Sequence, residues 1–360
     1  MPKSPLKIGV IGASGYTGGE LLRLLAGHPK ITVSTVTADK SAGTLVSTLF
    51  PNLKTFLPHT IERTNVQSLT KQVDVVFLAL PHTQSMELVK HFVQAKKMVL
   101  DLSADFRLKD QENYERWYEV PHTAPELLKK AVYGLPELYR SKIAKSKFVA
   151  VPGCYPTAAI LQLAPLIAHD IIKPQSIIID AKSGISGAGR TPAVPYHFPE
   201  AHESIKAYKI GVHRHTPEIT QELTLLHGRN STSGKKKKAA LKVTFTPHLL
   251  PINRGILSTA YCQSKTPMTL QQLQALYQKF YQHEYFIRLH NDPMAISPSH
   301  LRGSNFCDMG VFLNEDTKHI ISIAAIDNLV KGAAGQAIQA MNIMAGFPET
   351  LGLSLPPLYP

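Results

Sequence analysis

A short apolar, β-branched run, Lys7–Ile11, leads directly into Gly12-Ala13-Ser14-Gly15-Tyr16-Thr17-Gly18, and from Tyr16 to Ala26 apolar residues recur at helical spacing. A strand passing through a glycine turn into a helix constrains the fold more than any other feature of the chain. Such a turn brings backbone close to whatever sits on the helix N-terminus, where unpaired N–H groups and the helix dipole favour an anion. The spacing is GxxGxxG rather than GxGxxG, and a glycine pattern alone also fits an ordinary tight turn. The strand before it and the helix after it favour a dinucleotide pyrophosphate. Gly12, Ser14, Gly15, Tyr16, Thr17 and Gly18 are therefore candidate cofactor residues.

A second β-branched run, Ile31–Thr37, follows the helix within a short connection and ends near Asp39. A carboxylate at about that distance from the glycines holds the ribose 2′-hydroxyl in NAD-binding folds. Lys40 and Ser41 come next, and a cation beside a hydroxyl suits a 2′-phosphate instead, so these residues leave NAD and NADP both open. Asp39 also fits a plain turn. Val73–Leu80, Met98–Leu102 and Phe148–Val151 read as further buried strands, with a helix over Gln84–Gln94. Strands alternating with helices predict an α/β, Rossmann-type, doubly wound parallel sheet.

Beyond residue 153 the pattern changes. A helix is predicted at Thr157–Leu163, ended or kinked by Pro165, because an interior proline removes a hydrogen bond and crowds the preceding turn. Strand-like runs at Ile177–Ala181, Leu241–Thr246, Gly255–Gln263, Asp308–Leu313 and His319–Ile326 are interrupted by helical patterns at Pro217–Leu226 and Thr269–Gln282. The reading is a nucleotide-binding domain over 1–153, an α+β catalytic and oligomerisation domain over 154–327, and a C-terminal stretch 328–360 whose helix, Gly332–Met344, packs back on the first domain. There is no internal repeat.

Lys and Arg number 39 against 26 Asp and Glu, a formal net charge of +13. This balance suits anionic partners: nucleic acid, a membrane surface or phosphorylated small molecules. The lysine run Lys235–Lys238 lacks interleaved aromatics and reads as a solvated loop, so no nucleic acid is expected. The longest weakly polar run, near Tyr155–Ala168, contains Gln162 and two prolines and is shorter than the roughly 18 residues a membrane span needs. The chain starts with no leader-like pattern, and a cytoplasmic protein is expected. Three scattered cysteines, Cys154, Cys262 and Cys307, make neither a disulfide framework nor a CxxC metal knuckle, so no metal is expected.

Cys154 stands between a strand and a helix start, in Val151-Pro152-Gly153-Cys154-Tyr155-Pro156-Thr157. The positive end of a helix favours a thiolate, Pro156 suits a first helical turn and Gly153 leaves room for a substrate. Inert cysteines belong in apolar runs, as Cys262 and Cys307 do. Hydride reduces a thioester where it cannot readily reduce a carboxylate, so a nucleophilic cysteine beside a nicotinamide points to acyl–aldehyde interconversion.

His213-Arg214-His215-Thr216-Pro217-Glu218 concentrates further chemistry before a helix. One of the two, His213 or His215, is a candidate acid/base, Arg214 a candidate holder of an anionic substrate and Glu218 a candidate to orient a histidine. A metal site of Cys154, His213 and His215 has no supporting spacing. Ser183-Gly184-Ile185-Ser186-Gly187-Ala188-Gly189-Arg190 has the glycine content of an anion-binding nest or of a flexible surface loop. Arg107, in Asp101-Leu102-Ser103-Ala104-Asp105-Phe106-Arg107 just past a strand, is a candidate phosphate holder or a surface ion pair.

Taken in order along nearly the whole chain, GASGYTG, LALPH, DLSADFR, YGLPEL, PGCYPT, SGISGAGR, HRHTPEI, FTPHLLPINRGI and DNLVKGAAGQAIQ closely resemble the N-acetyl-gamma-glutamyl-phosphate reductase family. The glycine loop and the cysteine are shared with its relative, aspartate-semialdehyde dehydrogenase. The resemblance implies NADP(H), reduction of N-acetyl-L-glutamyl 5-phosphate to the 5-semialdehyde with loss of inorganic phosphate in arginine biosynthesis, a thioester on Cys154, and a homotetramer or homodimer. It implies cofactor roles for Pro81, Ser183, Gly184, Ser186, Gly187 and Asn328, and substrate roles for Arg107, Arg190 and Arg214. It also implies that Lys331–Ala333 lie beside the nicotinamide. The competing readings are a dehydrogenase of aspartyl phosphate or a lysine-pathway analogue and, in another class, a non-catalytic NADP-binding regulator.

Overall fold

The computed structural model describes residues 4–229 and 241–359; Lys235–Lys238 lie outside them. The chain divides into two compact units, Met1–Gly153 with Ala333–Leu355, and Cys154–Gly332 with Pro356–Pro360.

In the first unit β1 (Leu6–Ile11), α1 (Tyr16–Ala26), β2 (Ile31–Thr37), α2 (Val46–Leu49), α3 (Val66–Gln72), β3 (Val75–Leu78), α4 (Met86–Gln94), β4 (Met98–Asp101), α5 (Gln111–Tyr118), β5 (Val132–Tyr133), α6 (Pro136–Ile143) and β6 (Phe148–Ala150) follow one another. The six strands form one parallel sheet in the order β2-β1-β3-β4-β6-β5. Val75–Leu78 are buried on both faces, as a strand covered by helices on each side must be. Leu21, Leu22, Leu24 and Leu25 give α1 its buried stripe.

The second unit contains α7 (Cys154–Ala168), β7 (Ile177–Gly184), α8 (Phe198–Ala201), β8 (Lys206–Ala207), α9 (His215–Arg229), β9 (Val243–Leu250), β10 (Ile256–Gln263), α10 (Leu270–Tyr281), β11 (Ile287–Leu289), β12 (Cys307–Asn314) and β13 (His319–Ile326). Its seven strands form a mixed sheet, β11-β12-β13-β10-β7-β9-β8. A π-helical turn, Val330–Ala334, precedes α11 (Gly335–Met344). Residues 328–360 thus do not move as one block: α11 belongs to the first unit, while Asn328–Gly332 and Pro356–Pro360 belong to the second. Within the first unit the Gln336 amide donates to Gly134 O at 2.9 Å, and Arg140 pairs with Glu349 at 3.1 Å.

Pro165 neither ends nor visibly interrupts its helix. α7 runs from Cys154 to Ala168, buried from Tyr155 onward. Having no N–H, Pro165 leaves the Leu161 carbonyl without its helical donor, and the Tyr281 hydroxyl of α10 takes that place. The Tyr277 hydroxyl donates to the next carbonyl, Gln162 O, at 2.5 Å. A tertiary contact supplies what the local sequence removes.

Candidate functional site

The carboxyl ends of β1 and β3 flank the point where the first sheet changes direction, the place where open α/β sheets bind ligands. Gly12 holds φ +79°, and a Cβ there would lie 2.6 Å from Ala79 O. A Cβ on Gly18 would lie 2.5 Å from Ala13 O. Both glycines are therefore required by close backbone packing. Gly15, the N-cap of α1, provides no side-chain cap for the helix donors. The Gly12 and Ala13 amides donate to Thr37 O at 2.9 and 3.0 Å, tying the loop to the end of β2. Ser14 and Thr17 are half-buried along it and Tyr16 is exposed. Asp39, Lys40 and Ser41 form a 3₁₀ turn just beyond β2, with Asp39 Oδ1 accepting the Thr64 amide at 2.9 Å and Lys40 exposed. Pro81 is exposed beyond β3. Tight glycines, an uncapped helix start and a polar turn after β2 fit a dinucleotide.

Arg107 makes no surface ion pair. It is 5 % exposed, and its guanidinium donates to Val151 O and Leu102 O, each at 2.7 Å. A buried cation committed to main-chain carbonyls fastens the ends of β4 and β6 together.

In the second unit Cys154 is the first residue of α7 and half-buried. A Cβ on Gly332 would lie 2.8 Å from Cys154 Cβ, so the π-helical turn supplies bare backbone against the cysteine. Cys262 and Cys307 are buried, and burial alone pushes the Cys262 thiol up to about 12. Tyr155 and Tyr208 lie near enough to Cys154 for its charge to act on both, and burial pushes both phenols up, so they remain hydrogen-bond donors. The Tyr208 hydroxyl donates to that of Tyr155 at 3.2 Å, which donates to His248 O at 3.2 Å. Around them the rings of His213 and His215 lie 4.8 Å apart and 5.7 and 5.9 Å from Tyr155, with Phe245 5.4 Å from His213. Tyr155 and Phe245 fall in the PGCYPT and FTPHLLPINRGI blocks, but nothing in the sequence marks Tyr208 or brings the three together, because their meeting depends on pairing far along the chain.

His213 Nδ1 accepts the His215 amide at 3.1 Å, so the neutral ring carries its proton on Nε2. Main chain, not Glu218, occupies that nitrogen. Glu218 is buried in the first turn of α9 and Arg214 is half-buried. The glycine-rich loop that begins at the end of β7 has its first amides committed to main chain. Its Gly184, Ile185 and Ser186 amides donate to Gly255 O, Ile252 O and Asn253 O. Asn328 bridges it, giving a proton to Ser186 Oγ at 3.0 Å and accepting from Gly255 N at 2.7 Å. Ser183 reaches Tyr155 from the same loop, whereas Gly187 and Arg190 are exposed. Among the described residues no group of three His, Cys, Asp or Glu gathers as metal ligands would, and no helix is long and apolar enough to cross a membrane.

Residues 7–146 match the family described as semialdehyde dehydrogenase, NAD binding domain, and residues 154–328 match semialdehyde dehydrogenase, dimerisation domain. A protein of Vibrio cholerae, aspartate semialdehyde dehydrogenase II complexed with ASA, has the same fold at TM-score 0.70 and 15% identity, over 96% of this chain and 99% of its own. Aspartate semialdehyde dehydrogenase with NADP from Candida albicans aligns at TM-score 0.67 and 16% identity over 95% and 99%. A nicotinamide-cofactor domain followed by a cysteine-headed mixed sheet defines an oxidoreductase of the semialdehyde dehydrogenase class. Relatives from Geobacter sp. (strain M21) and Citrifermentans bemidjiense, each called N-acetyl-gamma-glutamyl-phosphate reductase, are 50% identical over 99% of this chain and 100% of theirs. The chain belongs to the N-acetyl-gamma-glutamyl-phosphate reductase family.

Proposed function

We propose that the protein reduces N-acetyl-L-glutamyl 5-phosphate to N-acetyl-L-glutamate 5-semialdehyde with NADPH, releasing inorganic phosphate, as a cytoplasmic step of arginine biosynthesis. The observation that carries the reading is Cys154 heading α7 next to Tyr155, whose ring lies 5.7 and 5.9 Å from those of His213 and His215. Cys154 Sγ attacks the acyl carbonyl, a carbon–sulfur bond forms, and the carbon–oxygen bond to phosphate breaks with its electron pair leaving on phosphate. His215 takes the thiol proton and returns it to the departing phosphate. His213, whose Nδ1 is held by main chain, acts as a donor from Nε2 to the carbonyl oxygen, together with amides at the start of α7. A dinucleotide held at the Gly12–Gly18 loop would provide the hydride that takes the thioester to the aldehyde level. The resulting oxyanion collapses, the carbon–sulfur bond breaks, and aldehyde leaves Cys154 as thiolate.

Gly12, Gly15 and Gly18 would hold the pyrophosphate, and Lys40 with Ser41 would favour the 2′-phosphate of NADP over NAD. Arg190 and Arg214 are proposed for the substrate anion, and Glu218 for support of the histidine pair from α9. The match to a dimerisation domain supports a homodimer or homotetramer.

Phosphate-dependent reduction of NADP with N-acetylglutamate semialdehyde, run beside aspartate semialdehyde and beside NAD, tests the whole reading. Turnover is expected only with the acetylated aldehyde, NADP and phosphate together. Equal turnover of aspartate semialdehyde would transfer the protein to the other substrate class, since a site built around an amide leaves polar groups unpaired with an analogue lacking it.

A further inference from the structure

Beyond β3 the chain turns through Pro81–Ser85, and Thr83 there holds φ +73°, a region a β-branched residue avoids. One carboxylate keeps it so. Asp105 Oδ1 accepts the Thr83 amide at 2.6 Å and the Tyr114 hydroxyl at 2.9 Å, while Oδ2 accepts the Ser85 amide at 3.0 Å and lies 2.9 Å from the Ser85 hydroxyl. On the other side of the turn, His82 Nδ1 accepts the Ala104 amide at 3.1 Å. Asp105 is wholly buried. The turn continues directly from Ala79 and Leu80, the residues that a Cβ on Gly12 would strike.

A proton count extends the cluster to Asp101, also wholly buried. Ser85 Oγ lies within 3.0 Å of Asp101 Oδ2, Ser103 Oγ and Asp105 Oδ2, and Ser103 Oγ lies 2.9 Å from Asp101 Oδ2. These are four oxygen–oxygen contacts, and the two hydroxyls furnish only two protons. A proton on Asp101 supplies a third.

We propose that Asp105 is a positioning residue for dinucleotide binding, holding the strained Pro81–Ser85 turn against the glycine loop, and that Asp101 must keep its proton for that hold to persist. The proposal rests on reading the crevice between β1 and β3 as the dinucleotide site.

Burial and the neighbouring Asp105 push the Asp101 carboxyl up to about 7. The other groups facing the pair remain fixed there: Tyr114 is pushed up by burial and Asp105, and His122, whose Nε2 contacts Asp105 O at 2.7 Å, is pushed down by burial. Arg107 is engaged with Leu102 O and Val151 O. As pH rises through about 7, Asp101 loses its proton, two carboxylates face each other across Ser85, and the turn loosens. Dinucleotide affinity therefore falls with rising pH.

The test is equilibrium binding of NADPH and NADH by the full chain, read by cofactor fluorescence, with iodoacetamide labelling of Cys154 as a control for the second unit. Asp105→Asn, which replaces an acceptor with a donor facing two amides, is expected to weaken binding about tenfold or more while Cys154 labels at the wild-type rate. Asp101→Asn, which fixes a neutral donor in place, is expected to remove the wild-type decline in affinity above about pH 7. Wild-type affinity in folded Asp105→Asn overturns the proposal. Should that variant not fold, parallel pH curves for wild type and Asp101→Asn overturn it. Failure of the wild type to bind either dinucleotide removes the crevice reading itself, an outcome distinct from a wild type that binds and variants that match it.

Discussion

The two glycine-rich loops look alike in sequence and are built for opposite purposes. In GASGYTG the glycines are forced by the chain's own backbone, with Ala79 O and Ala13 O where side chains of Gly12 and Gly18 would go, and the helix that follows has no side-chain cap. In SGISGAGR only the first glycine is so confined, a Cβ on Gly184 lying 2.8 Å from Ile252 O; one on Gly187 would meet side chains, Ser183 Oγ at 3.1 Å and Asn328 Nδ2 at 3.9 Å, and Gly189 is held to glycine by its φ of +88° rather than by a neighbour. There the amides of Gly184, Ile185 and Ser186 are consumed by neighbouring carbonyls. Glycine spacing therefore says little until one asks what a side chain would strike and where the N–H groups go. The proposed roles divide along the same line: backbone in the first unit, and Cys154 with its histidines and tyrosines in the second.

The largest expected effect breaks the molecule along that line. Cys154→Ser should lower turnover by about three orders of magnitude or more, because the hydroxyl is a far weaker nucleophile at neutral pH, yet leave NADPH affinity within about twofold, since none of the backbone that shapes the first unit changes. Titration calorimetry and steady-state rates on one preparation measure both. A parallel collapse of binding and turnover would sink the division of labour.

A smaller effect separates the two loops. Gly12→Ala adds a Cβ at φ +79° and 2.6 Å from a carbonyl oxygen, and should cost about 2–4 kcal/mol of stability and weaken dinucleotide binding as the turn shifts. Gly187→Ala meets a hydroxyl that can rotate, and should cost less than about 1 kcal/mol. Denaturant midpoints of the two variants decide it, and equal losses would erase the distinction.

That distinction also marks where sequence reasoning ends. α1, β2 and β13 are legible residue by residue and β1 to within one, because β-branched strand runs and an apolar helical stripe repeat at short range. Cys154 is legible because helix starts announce themselves locally. What the sequence hides is settled by partners far along the chain. Pro165 stays inside α7 because Tyr281 caps the carbonyl it orphans. Arg107 is a clamp on two strand ends because Val151 O and Leu102 O lie within its reach. The first three amides of the second glycine loop turn inward because the Ile252–Gly255 backbone claims them, and His213 Nδ1 is held by a main-chain N–H two residues on. Asp105 and Tyr208 carry no local mark at all. Residue type indicates that chemistry is near; only packing assigns the roles.

The one task backbone cannot perform in the first unit is choosing between a ribose hydroxyl and a phosphate. Asp39 is partly committed, its Oδ1 accepting the Thr64 amide, which leaves exposed Lys40 as the cation that follows β2. An exposed charge contributes little, about 1 kcal/mol at low salt, so Lys40→Ala should weaken NADPH binding about five- to tenfold and leave NADH binding nearly as it was. The difference should shrink as ionic strength rises, because screening removes what the lysine adds. Equal loss for both dinucleotides would mean that Lys40 serves the turn and not the phosphate, and would move discrimination onto Ser41 or onto the backbone itself.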